Sequence, residues 1–199
     1  SFAFEKMLSE AKSLFERKLS ERLNLTKVNA PLFVKCNSGL NDDLNGIEKA
    51  VSFDLNGEKH EVVHSLAKWK RWYLGALSAA EGEGIVTDMR AIRADEHLSP
   101  IHSHLVDQWD WERVISDEDR TIDTLIFHGK AVYEALRLAE REVALQTISR
   151  PTLPDKLKVI HSEELLKMYP DMTAKEREHA ITARFGAVLL IGIGGSLAN

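Results

Sequence analysis

The sequence has little cysteine, no long apolar run and no excess of positive charge, and these three features narrow the class of protein to which the chain can belong. Its 199 residues include one cysteine, Cys36, and a single thiol cannot form an internal disulfide, so nothing indicates an oxidising, secreted setting. The longest apolar run, residues 187–193, is far shorter than the about 20 residues that span a bilayer, and we see no signal peptide. A net charge of −5 gives no electrostatic reason to expect nucleic acid or an anionic membrane as a partner. We therefore expect a cytoplasmic protein with no nucleic-acid or membrane partner.

What the chain does contain is the composition of a folded domain. Hydrophobic residues make up 44% and charged residues 29%, which is ordinary for a globular protein that buries a core. The length of 199 residues corresponds to one large domain or two small ones.

Hydrophobic periodicity predicts both helices and strands. Apolar residues at three- and four-residue intervals predict a helix over 4–23, and richness in Ala, Leu, Glu and Arg predicts one over 122–145. Further helices are predicted over 66–77, from near Ser162, and from a capping box at Thr173 to Gly186. Extended segments are predicted at 26–34, 50–55, 59–63, 85–92, 105–115, 157–160 and 187–193. Asn56-Gly57 predicts a hairpin turn, and Pro31 confines its segment to a sheet edge because it has no N–H to donate. Since hairpins join central strands, we expect an α+β fold with a mainly antiparallel sheet flanked by helices.

The predicted strand over 105–115 alternates in polarity. Leu105, Trp109 and Trp111 fall on one parity, and Gln108, Asp110 and Glu112 fall on the other. Because successive side chains of a strand point to opposite faces, the second set forms a polar row on one face. Arg93, Asp95 and Glu96 follow the preceding strand. A permanent guanidinium facing a carboxylate and an amide carbonyl suits an anionic ligand that also carries an ammonium group, although a solvated face with charge pairs is the alternative.

Residues 60–64 (HEVVH) match the H-E-x-x-H pattern of zinc proteases. That chemistry needs a helix, on which residues i and i+4 lie about 6 Å apart and both imidazoles reach one metal. On the strand predicted here, His60 and His64 would stand about 13 Å apart. We therefore do not expect a zinc site.

Two further patterns are weak. His97, His102 and His104 with Asp107 could form a metal site, but a histidine-bearing loop that leads into a strand is the simpler interpretation. The glycine-rich residues 192–195 follow a strand, as phosphate loops do, but lack both the G-x-G-x-x-G spacing and the G-K-[ST] ending.

Longer blocks of sequence carry a family resemblance. They are residues 42–46 (DDLNG), 61–71 (EVVHSLAKWKR), 98–103 (LSPIHS), 106–113 (VDQWDWER), 161–166 (HSEELL) and 192–195 (GIGG). Together they closely resemble asparagine synthetase type A, the ammonia-dependent aspartate–ammonia ligase, over essentially the whole chain. That family is built on the catalytic core of class II aminoacyl-tRNA synthetases. The resemblance implies one synthetase-like catalytic domain over residues 1–199, and a homodimer whose interface includes the first helix and the segment with Pro31.

The resemblance also implies a two-step reaction. The side-chain carboxylate of aspartate attacks the α-phosphate of Mg-ATP and gives β-aspartyl-AMP and pyrophosphate. Ammonia then displaces AMP and gives asparagine. The ligands implied are therefore aspartate, ATP and ammonia, with Mg²⁺ accompanying the nucleotide.

Site residues follow from the resemblance position by position. Arg93 resembles the arginine that holds the α-phosphate and the reacting carboxylate, and Lys70 resembles the lysine that pairs with the substrate's side-chain carboxylate. Gln108 and Asp110 resemble the pair that recognises the aspartate backbone. Asp42 matches an aspartate near the reacting end, where it would position ammonia or take a proton from it. By the same analogy His64, Ser65 and Ser103 line the pocket, and Glu96 meets the adenine.

The chain departs from the family in two ways. The family's D-N-L-x-G reads D-D-L-N-G here, so Asp43 adds a carboxylate beside the site. The chain also stops well short of a family member's length. We therefore expect a missing C-terminal part, which would carry the acidic Mg-ATP ligands and the glycine-rich third motif, and we expect this chain alone to be incomplete as an enzyme.

Three other functions remain as alternatives. A glutamine-dependent asparagine synthetase needs an N-terminal cysteine nucleophile, whereas this chain begins with Ser1. A regulatory module of synthetase-like fold would bind an amino acid without activating it, and the presence of Lys70, Arg93, Gln108 and Asp110 disfavours that interpretation. An aspartyl-tRNA synthetase would ordinarily carry an anticodon-binding domain and a more basic surface.

Overall fold

The computed structural model describes residues 1–42, 46, 49–100 and 102–194. In this part of the chain the elements are α1 (Phe2–Leu23), β1 (Leu25–Lys27), β2 (Phe33–Lys35), β3 (Ser52–Leu55), β4 (Glu58–Val62), α2 (Ala67–Ala76), β5 (Gly84–Ile92), β6 (Leu105–Arg113), α3 (Ile122–Thr147), β7 (Lys158–His161), α4 (Ser162–Met168), α5 (Ala174–Phe185) and β8 (Val188–Ile191). The chain divides into two compact units, one formed by Ser1–Leu19 with Glu118–Asn199 and the other by Ser20–Asp117. None of the helices in the described ranges has the length and apolar character that a membrane crossing requires.

The unit formed by Ser20–Asp117 contains two three-stranded sheets. In the first sheet β5 lies between β1, to which it is parallel, and β6, to which it is antiparallel. In the second sheet β4 lies between β2 and β3, and both pairs are antiparallel. The predicted hairpin joins β3 to β4, and Asn56 and Gly57 adopt the positive φ values of 52° and 80° that its turn requires.

A buried apolar cluster joins β2, α2 and β5 in this unit. Its buried members are Val34, Val63, Leu66, Trp69, Leu74, Ile85, Met89 and Ala91. Full burial of one such aliphatic side chain stabilises the fold by about 1.5–3 kcal/mol. Because Trp69 belongs to this cluster, the next residue of α2, Lys70, is held close to β6.

The unit formed by Ser1–Leu19 with Glu118–Asn199 contains a parallel pair, β7 and β8, connected through α4 and α5. Ile160, Leu165 and Ile181 form its buried cluster. The predicted capping box opens α5, since the Thr173 hydroxyl accepts the N–H of Glu176 while the Glu176 carboxylate accepts the N–H of Thr173. Gly186, with φ of 77°, ends α5 as predicted.

The α+β class and the predominance of antiparallel pairing are confirmed. The pattern did not reveal that the described strands form three separate hydrogen-bonded sheets, with two parallel pairs. Parallel partners are distant in sequence, and alternation along one strand carries no information about which strand lies beside it. The segment predicted as one extended stretch at 26–34 is two short strands, β1 and β2, that flank Pro31 and belong to different sheets.

Candidate active site

The β5–β6 pair aligns the predicted polar row on one face. Its register opposes Met89 to Gln108, Thr87 to Asp110 and Ile85 to Glu112. Directly opposed residues share a face, and Ile85 and Met89 belong to the buried cluster with α2, so the polar row lies on the face that α2 covers. Arg93 continues the same alternation just beyond β5, and its backbone N–H donates to the carbonyl of His104 at 2.7 Å.

Lys70 is the centre of a buried ion cluster on this face. Its side chain is 3% exposed, and its Nζ donates to the Asp110 carboxylate and, at 2.8 Å, to the carbonyl oxygen of Trp111. A carboxylate oxygen of Glu112 lies 3.5 Å from the same Nζ, and Glu112 also pairs with Arg71 at 3.3 Å. An ammonium group at this depth needs such partners, because an isolated buried charge costs several kcal/mol. The structure therefore brings together Lys70 and Asp110, two of the predicted site residues, and adds Glu112 to the pair.

Gln108 lies beside this cluster on the same face. Its Nε2 donates to Met89 Sδ at 3.3 Å, a weak acceptor at the buried side of the sheet. Its carbonyl oxygen accepts no hydrogen bond from any residue in the described part of the chain. That oxygen is therefore available to accept a hydrogen bond from a ligand's ammonium group.

Arg93 opens onto a cavity of about 370 Å³. The residues that line the cavity are Lys49, His64, Arg93, Ala94, Asp95 and Glu96. Within residues 1–42, 46, 49–100 and 102–194, the guanidinium of Arg93 forms neither a hydrogen bond nor an ion pair. The N–H of Glu96 donates to the carbonyl of Arg93 at 3.2 Å, so a tight turn sets the position of Glu96 in the cavity wall.

The ion cluster at Lys70 and the cavity at Arg93 lie at different positions along one face of the β5–β6 pair. Arg93 is four residues beyond Met89, the partner of Gln108, and six residues beyond Thr87, the partner of Asp110. At about 3.3 Å per residue these offsets correspond to about 13 and 20 Å along the strand. Lys70, Gln108 and Asp110 do not line the cavity at Arg93. The face is therefore shared, whereas the cavity belongs to its Arg93 end.

Asp42 is half-buried at the edge of the described chain. A carboxylate oxygen lies 3.9 Å from Lys68 Nζ, and its backbone N–H donates to Asn41 Oδ1 at 3.1 Å. Asp43, the extra carboxylate that the sequence places beside the site, lies outside the described residues.

Each of the two predicted serines, Ser65 and Ser103, forms a hydrogen bond with the backbone two residues further along the chain. The Ser65 hydroxyl oxygen accepts the N–H of Ala67 at 3.2 Å, at the first residue of α2. The Ser103 hydroxyl oxygen accepts the N–H of Leu105 at 3.2 Å, and Ser103 is exposed. Neither serine lines the cavity at Arg93, although Ser65 adjoins His64, which does.

The histidine patterns do not converge on one point. His60 lies on β4 with its ring packed against those of Phe33 and Phe53, at centroid distances of 5.7 and 5.9 Å, while His64 follows the strand. His104 Nδ1 contacts the carbonyl oxygen of Arg93 at 2.9 Å. In the described portion of the chain, no group of three or more His, Cys, Asp or Glu residues could hold a metal ion. Of the glycine-rich segment 192–195, Gly195 lies outside the described residues.

The single cysteine is not an activated thiol. Burial raises the pKa of Cys36, and the neighbouring Glu61 carboxylate, 3.7 Å from Sγ, raises that pKa further. A nucleophilic cysteine instead needs an environment that lowers the thiol pKa.

Sequence reasoning missed three residues of this region. Glu112 belongs to the polar row without an assigned role, and its spacing of two residues from Asp110 is the signal that places it on the same face. Lys49 lines the cavity with no pattern to mark it. Asn41 precedes Asp42 and accepts two backbone hydrogen bonds, a role that no spacing reveals.

Comparison with known proteins identifies the family of the chain. Residues 3–199 match the model of the family described as aspartate-ammonia ligase. The chain belongs to the aspartate-ammonia ligase family. It is 52% identical over 196 residues to the aspartate–ammonia ligase of Parabacteroides distasonis and 50% identical over 199 residues to that of Clostridium perfringens strain 13. These alignments cover 96% and 98% of this chain but 57% and 59% of the relatives, so the chain spans less than two thirds of their length.

Solved structures that resemble the chain share its fold at low sequence identity. An asparaginyl-tRNA synthetase of Entamoeba histolytica in complex with asparaginyl-adenylate aligns with a TM-score of 0.59 and 14% identity, over 94% of this chain and 42% of the synthetase. A putative aspartyl-tRNA synthetase of Leishmania major aligns with a TM-score of 0.59 and 12% identity, over 92% of this chain and 43% of the synthetase. The chain therefore has the class II aminoacyl-tRNA synthetase-like fold that the sequence predicts.

Proposed function

We propose that the protein carrying this chain makes L-asparagine from L-aspartate and ammonia, using ATP and passing through β-aspartyl-AMP. The observation that carries the proposal is that Lys70, Gln108, Asp110 and Arg93 share one face of the β5–β6 pair in a chain of the aspartate-ammonia ligase family. Family members 52% and 50% identical to this chain are aspartate–ammonia ligases, which supports the same reaction here.

In the first step, an oxygen of the aspartate side-chain carboxylate attacks the α-phosphorus of ATP. A new P–O bond forms, the bond to the bridging oxygen of the β-phosphate breaks, and pyrophosphate leaves. We assign Arg93 to this centre, because a planar guanidinium binds phosphate and carboxylate oxygens bidentately and stabilises negative charge that builds up during transfer. Its lack of an ion-pair partner among the described residues leaves those donors available to a ligand. Glu96, in the same cavity wall, is assigned to the adenine amine.

The other end of the face suits the amino-acid substrate. Asp110 offers a carboxylate to the α-ammonium group, and the carbonyl oxygen of Gln108 offers a second acceptor. Lys70 is assigned to the side-chain carboxylate of the substrate. Because Asp110, Glu112 and the Trp111 carbonyl already surround Nζ, substrate binding would require Lys70 to exchange its more distant partner, Glu112 at 3.5 Å, for the ligand.

In the second step, the nitrogen of ammonia attacks the acyl carbon of β-aspartyl-AMP. The bond from that carbon to the phosphate oxygen breaks, AMP leaves, and the nitrogen loses a proton. We assign Asp42 to positioning ammonia or accepting this proton. His64, which lies between β4 and α2, is assigned to the wall of the cavity at Arg93, and Ser65 and Ser103 are assigned to substrate binding outside that cavity.

The remaining parts of the proposal concern the metal and the assembly. Mg²⁺ would accompany ATP, but the described residues offer no ligand set for it, so we assign it no ligand in this chain. We propose that residues 1–199 form one class II synthetase-like catalytic domain that acts as a cytoplasmic homodimer. The exposed apolar side chains of Leu32 and Phe33, beside Pro31, support a partner surface there.

The test is a pair of assays on the complete natural protein. Aspartate-dependent exchange of pyrophosphate into ATP reports the first step, and asparagine formation with ammonium reports both steps. Arg93→Lys should lower the exchange rate at least about 100-fold, as expected for loss of a transition-state contact. Arg90→Lys, an exposed arginine three residues earlier, is the matched control and should leave the rate within about twofold.

Each alternative function has its own outcome in these assays. Aspartate binding without any exchange would favour the regulatory module. Charging of tRNA with aspartate would favour a tRNA synthetase, and asparagine formation that requires glutamine would favour the glutamine-dependent class.

A further inference from the structure

Asn41 is a buried polar residue immediately before Asp42, with 6% exposure. Its Oδ1 accepts two backbone hydrogen bonds, one from the N–H of Asp42 at 3.1 Å and one from the N–H of His64 at 2.8 Å. Only the carbonyl end of the side-chain amide can accept from both donors, so the two bonds also determine the orientation of the amide.

The two bonds connect segments that no strand or helix holds together. Asp42 lies in irregular structure, and His64 lies in the stretch between β4 and α2, 23 positions from Asn41. His64 is 3% exposed and lines the cavity at Arg93. Neither Asp42 nor His64 lies in a strand or helix, so the two Asn41 bonds, together with the 3.9 Å contact between the Asp42 carboxylate and Lys68 Nζ, set the spacing between Asp42 and the cavity wall.

We infer that Asn41 is a positioning residue for the ligase reaction: its amide oxygen holds the backbone of Asp42 against the His64 wall of the Arg93 cavity. This inference rests on the proposed function. One buried oxygen satisfies both amides, so its removal leaves the buried N–H of His64 and the half-buried N–H of Asp42 without their acceptor and loosens the connection between the two segments.

The consequence should differ between the two chemical steps. Asp42 is assigned to ammonia, whereas Arg93, which forms no hydrogen bond with Asn41, is assigned to phosphoryl transfer. A displacement of about 1 Å at a reacting group costs about 100-fold in rate. Loss of the Asn41 bonds should therefore slow the ammonia step far more than adenylate formation.

The experiment compares three variants of the complete natural protein. Asn41→Leu has similar volume but no acceptor, while Asn41→Asp keeps an acceptor oxygen in the same place. Gln146→Leu is the matched control, because Gln146 is an exposed amide on α3, outside the candidate site and the proposed interface. The measurements are kcat/KM for ammonium in asparagine formation, the rate of aspartate-dependent pyrophosphate exchange, and hydrogen exchange of the Asp42 and His64 amides.

Asn41→Leu should lower kcat/KM for ammonium by about 100-fold, with exchange of pyrophosphate changed less than about threefold. Both amides should lose at least tenfold in protection against hydrogen exchange, and Asn41→Asp should restore most of the protection and the ammonium dependence. Equal losses in both steps, or equal losses in Gln146→Leu, would mean a general structural effect and would overturn the inference. Unchanged protection of the two amides would overturn it as well.

Failure of the proposed function has a separate signature. If the wild-type protein shows no aspartate-dependent exchange, the ligase proposal fails and the ammonia role of Asn41 fails with it. If the wild type is active and Asn41→Leu retains its ammonium dependence, only the inference on Asn41 fails.

Discussion

The ion cluster at Lys70 makes a quantitative prediction about stability. Lys70→Met keeps an apolar stem of similar length but removes the ammonium, so the Asp110 carboxylate loses its cation and Glu112 keeps only the exposed Arg71. Removal of one partner from a buried ion pair costs about 3–5 kcal/mol. The Asp110 and Glu112 side chains are 17% and 25% exposed, so water reaches them in part and we expect the lower end, about 3 kcal/mol.

Urea unfolding followed by tryptophan fluorescence measures this loss in the relevant unit. The four tryptophans, Trp69, Trp72, Trp109 and Trp111, all lie within Ser20–Asp117. For a chain of this size 1 kcal/mol corresponds to about 2–4 °C in Tm, so the Tm associated with this unit should fall by about 6–12 °C.

A neighbouring lysine supplies the control. The Lys68 side chain is 43% exposed, and its Nζ lies 3.9 Å from the Asp42 carboxylate. Lys68→Met should therefore lower the free energy of unfolding by less than about 1 kcal/mol. Adding Asp110→Asn to Lys70→Met should recover at least about 1 kcal/mol, because it removes the carboxylate that Lys70→Met leaves without a cation. A loss below about 1 kcal/mol in Lys70→Met would refute the reasoning, since the ammonium would then not be held as a buried pair.

Three further predictions concern single side chains. Arg93→Lys keeps the charge but loses the planar fork, so pyrophosphate exchange should fall at least about 100-fold while the Tm changes by less than about 2 °C. Burial raises the pKa of Glu140, but hydrogen bonds from Thr152 and Leu153 outweigh it and hold that pKa below its ordinary value. Glu140 therefore stabilises the fold above its unfolded pKa of about 4.3, and this contribution disappears as pH falls through the lower folded value, so Glu140→Gln should lower Tm at pH 7 and much less at pH 3. Thr173→Ala removes the N-cap of α5 and should cost about 1 kcal/mol in urea unfolding followed by circular dichroism, with Lys175→Ala as the control in the same turn.

The local parts of the fold could be predicted because their causes are local. Asn56-Gly57 specifies a turn by backbone conformation alone, and the Thr173 capping box specifies a helix start by two hydrogen bonds within four residues. The parallel pairs β1–β5 and β7–β8 could not be predicted in the same way. Their partners meet only when the intervening chain has folded, and hydrophobic alternation does not encode that meeting.

The candidate site likewise has a part that local sequence predicts and a part that depends on tertiary packing. Parity along β6 places Gln108, Asp110 and Glu112 on one face, which is a property of any strand. That Lys70 would reach Asp110 depends on the packing of Trp69 in the core, and sequence spacing does not contain it. The family resemblance paired these residues through a shared ligand instead, and the structure adds the direct contact between them.

The charges along the shared face give the proposed ligand a direction. At one end Lys70 and Arg71 balance the charges of Asp110 and Glu112, and the Asp110 carboxylate offers acceptor oxygens to an ammonium group. At the other end Arg93 forms no ion pair with the described residues and favours phosphate oxygens. A β-aspartyl adenylate placed with its amino group toward Asp110 and its phosphate toward Arg93 satisfies both ends. The reverse placement would set the phosphate against two carboxylates and leave the guanidinium facing a cation. The acceptor at Asp110 and the guanidinium of Arg93 therefore favour one orientation of the proposed ligand before any contact with the adenine is considered.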